Sequence, residues 1–227
     1  MNENPYAPTD RITVSPGDGP RALRAPEAIA ARRLMLAEPH IAPLAAYVEG
    51  LRAKYPDWEF QDFDPLDGGV DADLLFLLEK PGPMTSPTGK RKGSGFISRN
   101  NDDPTAQAVF EFMVEAGIAR KRTVLWNVIP GWNATIKTTR LELRRGVEEL
   151  AHLLALLPNV RTVILVGRQA RSAQPLLEAM NLRVFTSAHP GGQVFRFNPD
   201  QWRAIPARWK EAGLVLEADN LTHPDRS

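Results

Sequence analysis

From Leu74 onward the chain alternates short apolar runs with stretches of helical spacing. Residues 74–78 are continuously apolar, as expected of a strand buried on both faces. Asp103-Pro104 then opens a helix: the Asp caps, and the Pro takes a first position whose N–H has no partner to lose. Apolar spacing continues to Ala116, and Gly117 stops it. A second strand is predicted over 123–126, a long helix over 141–157 ended by Pro158, and a third strand over 161–166 turned by Gly167. A helix over 170–180, a fourth strand over 183–186 and a last helix over 200–212 complete the pattern. This order predicts an α/β fold of three α/β/α layers around a central four-stranded parallel sheet.

Upstream, 27–38 and 41–54 read as helices, the second with Leu44, Val48 and Leu51 on one face. Tyr55-Pro56 ends it, because a residue preceding proline avoids the helical region. Residues 1–25 are rich in Pro, Gly and polar residues and read as an extended or disordered arm. Residues 26–227 then form a single domain whose N-terminal part, 26–70, is helical up to an acidic loop.

Composition narrows the chemistry. With 227 residues and 43% apolar content the chain suits one globular domain. No apolar run reaches the ~20 residues that span a bilayer. Met1 to Pro5 has neither a basic start nor an apolar stretch, so no signal peptide, no membrane and a cytoplasmic location are expected. The chain has no cysteine, which excludes disulfides, thiolate nucleophiles and cysteine-held zinc or iron–sulfur clusters. Its four histidines have no metal-ligand spacing, so no metal or other cofactor is expected.

Net charge is only +1, but charge is segregated. Residues 57–73 carry seven acids and no base. Lys80, Lys90, Arg91, Lys92, Arg99, Arg120, Lys121, Arg122, Lys137, Arg140, Arg144 and Arg145 follow. Basic loops beside a cleft suit a phosphate backbone, whose neutralisation releases counterions.

In a doubly wound sheet, ligands bind beyond the carboxyl ends of the strands. After the first strand comes Glu79-Lys80-Pro81-Gly82, which sets a carboxylate at the strand tip, able to orient or deprotonate water. Further along, Gly93-Ser94-Gly95-Phe96 presents an aromatic ring in a glycine-flanked loop, where it could stack on a base. After the second strand, Asn127 offers a donor and an acceptor, the pattern that reads a pyrimidine edge. After the fourth, Ala188-His189-Pro190-Gly191 holds a histidine at the cleft mouth. The segment Gln193, Val194, Phe195 and Arg196 beyond it could wedge into a groove.

In this order the four segments resemble those of the uracil-DNA glycosylase superfamily, over about residues 74–212. The resemblance implies a glycosylase that hydrolyses the N-glycosidic bond of uracil in DNA, leaving an abasic site. It assigns Phe96 to stacking, Asn127 to the uracil edge with Pro81 and Gly82 beside it, and His189 to stabilising the departing base. Glu79 would align the attacking water. Lys80, Lys92, Arg99, Gln193, Val194, Phe195 and Arg196 would contact DNA. DNA is the expected partner of a monomer. The chain departs from the superfamily pattern in lacking the cluster cysteines, in carrying Lys80 before the proline, and in Gly191-Gly192 where relatives continue with Ser-Pro. Three alternatives remain open: a glycosylase for hypoxanthine, xanthine or mispaired thymine, a DNA-damage binder without turnover, and a small-molecule enzyme on a generic fold.

Overall fold

In the computed structural model, residues 17–222 are described except 84 and 89–91, with side chains omitted for 215–222. Helices α1 (Pro26–Leu34) and α2 (Ala42–Lys54) come first, followed by two short strands, β1 (Glu59–Phe60) and β2 (Asp62–Phe63). Strand β3 (Leu74–Leu78) leads to β4 (Phe96–Ile97), α3 (Pro104–Glu115), β5 (Thr123–Asn127) and β6 (Gly131–Trp132). Then come α4 (Arg140–Ala155), β7 (Thr162–Val166), α5 (Gln174–Ala179) and β8 (Arg183–Ser187). Helices α6 (Gly192–Phe197), α7 (Pro199–Arg203) and α8 (Ile205–Thr222) close the chain.

The predicted sheet is present: four parallel strands in the order β5-β3-β7-β8. The α/β class and its N-terminal helices are as expected. Side chains alternate across a strand, and the register pairs Phe76 with Leu125 and Leu77 with Trp126. The two faces are therefore distinct. On one, Trp126 stacks on Phe63 at 4.0 Å and meets Tyr47 of α2 edge-on. On the other, Phe76 meets Trp209 of α8 edge-on at 4.9 Å, and Trp209 in turn meets Phe112 of α3.

The helix ends follow the sequence signals. The Asp103 carboxylate accepts from the Ala106 N–H, and Thr139 and Glu142 form a reciprocal capping box on α4. Proline explains two departures from the predicted spans. Pro175 separates a 3₁₀ turn (Gln169–Ala173) from α5, and Pro206 restarts the chain as α8.

The arm is corrected for the part described. Residues 17–25 are ordered: Leu23 is buried, Arg21 donates to Gln107, and the Asn100 side chain donates to the Gly19 carbonyl. The rest of the predicted arm, 1–16, lies outside the described residues. The acidic loop is corrected too, since β1 and β2 lie within it, paired with β6 and β4. Two-residue strands carry no periodicity to read. Among the described residues no helix is long and apolar enough to cross a membrane, and no group of His, Cys, Asp and Glu could hold a metal ion.

Candidate functional site

The site is built at the carboxyl ends of β3, β5, β7 and β8. Asn127 ends β5 and pairs in register with Leu78 at the end of β3. Alternation directs it to the α3 side of the sheet, into a cavity of about 380 Å³. The cavity walls include Leu78, Pro81, Gly82, Ile97, Val109 and Leu125, with Arg99, Asp103 and His189 among the polar residues. Asn127 is 5% exposed, yet its amide makes no hydrogen bond to a described residue. The amide opens on the cavity, where a ligand or water can complete its donor and acceptor.

His189 follows β8, and its imidazole likewise has no hydrogen-bond partner among the described residues. Burial holds this imidazole below its ordinary pKa, opposed by the carboxylates of Glu79 and Asp103. The ring is therefore neutral near pH 7, with one N–H to donate. Burial also raises the Asp103 carboxyl, against the α3 backbone N–H groups it caps.

Glu79 does not line the first cavity. It belongs to a second, of about 560 Å³, with Gly167, Arg168, Arg171, Ser187 and Gln193. Its Oε1 accepts from the Gln169 N–H at 2.8 Å. Gly167 has φ +97°, and a Cβ there would stand 2.6 Å from that carboxylate oxygen. Glycine is thus required both for the turn and for the close approach of Glu79. Among described residues, only His189 lines both cavities.

Three expected roles are corrected. Phe96 is 0% exposed and lines neither cavity. The Ser94 hydroxyl and the Asn101 side chain bind its backbone N–H and carbonyl, and alternation along β4 turns Ile97, not Phe96, to the cleft. Lys80 is not free to meet a phosphate. Its ammonium is buried among Asn133 Oδ1 at 2.7 Å, the Lys137 carbonyl and Glu142 Oε1, both at 3.0 Å. Burial would raise the Glu142 carboxyl, but the bonds from Lys80 and Thr139 together hold it below its usual range. Arg99 is 4% exposed, donates to Thr123 and pairs with Asp67 at 3.4 Å, although it also lines the first cavity.

Much of the charge segregation is neutralised internally. Asp64 pairs with Arg32 and Arg120, Asp67 with Arg99 and Arg120, and Asp73 with Arg122. Lys92 is exposed and lines neither cavity, while Lys90 and Arg91 lie outside the described residues. The predicted wedge is helical: Gln193 and Val194 of α6 line the second cavity, and Phe195 and Arg196 are exposed.

Sequence reasoning missed Asp103, Ile97, Arg168 and Arg171 as cleft residues. Asp103 stood out only as a helix cap. Arg168 and Arg171 followed a recognised strand end and could have been found by the same strand-end rule. No family model matches the chain, and no curated protein matches it.

Proposed function

We propose that the protein is a DNA glycosylase that hydrolyses the N-glycosidic bond of a flipped uracil. The observation that carries this reading is the division of the cleft into two cavities that meet at His189. A nucleotide has the same two-part form, a base and a sugar-phosphate joined at one bond. The first cavity, within the ordinary range of about 300–1,000 Å³ for ligand sites, takes the base. There the open amide of Asn127 reads its edge, and Pro81, Ile97 and Val109 supply apolar walls in place of the expected Phe96 ring. The second cavity takes the sugar, beside Glu79.

Each group then has one role. Glu79 accepts a proton from water as the water oxygen bonds to the anomeric carbon. The bond from that carbon to the base nitrogen breaks, and its electron pair leaves on the base. Neutral His189, at the junction, donates to the base oxygen on which that charge collects, as a preset oxyanion donor does. No step requires a metal or cofactor.

The reading is tested with labelled oligonucleotides carrying uracil, hypoxanthine, xanthine or mispaired thymine, followed by alkaline cleavage at abasic sites. Cleavage at uracil is expected. Cleavage only at another base would move the specificity, and tight binding without cleavage would leave a damage binder.

A further inference from the structure

We infer that Arg168 and Arg171 form a phosphodiester subsite, holding the nucleic-acid backbone beside the flipped nucleotide. The inference rests on the proposed reading that the cleft takes DNA. Both arginines line the second cavity, and both are exposed. Neither guanidinium has an ion pair or hydrogen bond to a described residue. That sets them apart from Arg32, Arg52, Arg99, Arg120 and Arg122, each of which meets an aspartate.

Their presentation is fixed by the backbone. Arg168 precedes and Arg171 sits within the 3₁₀ turn Gln169–Ala173. Residues three apart in such a turn eclipse one another, so the two guanidiniums share a side. Gly167 and the bond from Gln169 N–H to Glu79 anchor the start of the turn to the sheet. The amide side chains of Gln193 and Gln201 line the same cavity and add neutral donors. Glu79 is half-buried at the strand end while the arginines are exposed at the rim, so an anion meets the guanidiniums first. A guanidinium fork matches a phosphate in geometry as well as charge.

The test measures binding of the full chain to a short fluorescent single-stranded oligonucleotide across a salt series. It compares wild type, the double variant Arg168→Gln/Arg171→Gln, and Arg208→Gln, an exposed arginine outside both cavities. On a single strand each neutralised phosphate contributes about 0.7 to the log–log salt slope, so the double variant should reduce that slope by about 1.4, with affinity falling ~10-fold or more at low salt. Arg208→Gln should leave the slope unchanged. A single methylphosphonate beside the uracil should weaken binding to wild type but not to the double variant.

An unchanged slope in the double variant overturns the subsite, as does wild type that binds no oligonucleotide. So does a double variant that still responds to the methylphosphonate as wild type does. Base release is scored separately. Wild type that binds with the expected slope but releases no base retains the phosphate subsite and loses the glycosylase reading. Wild type that releases uracil while the double variant keeps its slope does the reverse.

Discussion

Two neighbouring regions of this molecule bury polar groups in opposite ways. Around Asp64, nearly every polar atom is answered. Arg32 and Arg120 each donate to Asp64 at 2.7 Å, Ser98 donates to it as well, and Arg120 also reaches Asp67 at 2.9 Å. At the strand ends, Asn127 and His189 are left without protein partners among the described residues. Their polar atoms face the open cavities rather than the packed interior. The first set ties the fold together, and the second stands open at the proposed ligand site. Arg99 joins the regions: it is bonded to Asp67 and Thr123, it lines the first cavity, and its buried Nε has no partner among the described residues.

The contrast fails most visibly if the network proves dispensable. Asp64→Ala removes the shared acceptor and leaves the buried Arg32 with no carboxylate partner, while Arg120 keeps Asp67 and Asp18, so a stability loss of about 3–5 kcal/mol is expected from urea unfolding. A loss under about 1 kcal/mol would remove the network's structural role. Asn127→Ala should behave in the opposite sense, slowing base release by about 10²–10³-fold. Because its amide has no protein partner to orphan and faces the open cavity, its unfolding free energy should shift by no more than about 0.5 kcal/mol. A large shift would make Asn127 structural.

Gly167→Ala sharpens the boundary between the two. The new Cβ meets Glu79 and sits at positive φ, for a cost of about 1–3 kcal/mol. Displacement of Glu79 should lower kcat more than it raises KM. Equal effects on both would argue that Glu79 binds rather than reacts.

A pH dependence tests the network itself. Burial pushes the Asp67 carboxyl up from 3.8 to about 6, against Arg120 and Arg99. Between those values the folded state holds a proton that the unfolded state has lost. Stability relative to Asp67→Asn should therefore fall as pH rises through that window and level off above about 6. A difference that instead grows with pH would mean that the arginines outweigh burial.

What the sequence made legible, and what it did not, follows from how far each feature reaches along the chain. The sheet strands announce themselves as continuous apolar runs, and Asp103-Pro104 and Gly117 mark the ends of α3 within a few residues. That Asn127 and His189 line the cleft was legible because strand ends fix which side of the sheet a loop serves. Phe96 was misjudged because its orientation depends on a two-residue strand and on the Ser94 and Asn101 hydrogen bonds, which no local pattern encodes. The partners of Lys80 and Arg99 lie 62 and 32 residues away, at Glu142 and Asp67. A charge run read alone therefore looked like a surface for phosphate when much of it was the inner half of ion pairs.

The most direct measurement of the central claim is the single-turnover rate of free uracil release from a single-stranded oligonucleotide. Wild type, Asn127→Ala and His189→Ala would be compared, with the fold of each verified by circular dichroism. The account predicts release by wild type and a rate lower by about 10²–10³-fold in each variant. No release by wild type, or full-rate release by folded Asn127→Ala and His189→Ala, would contradict it.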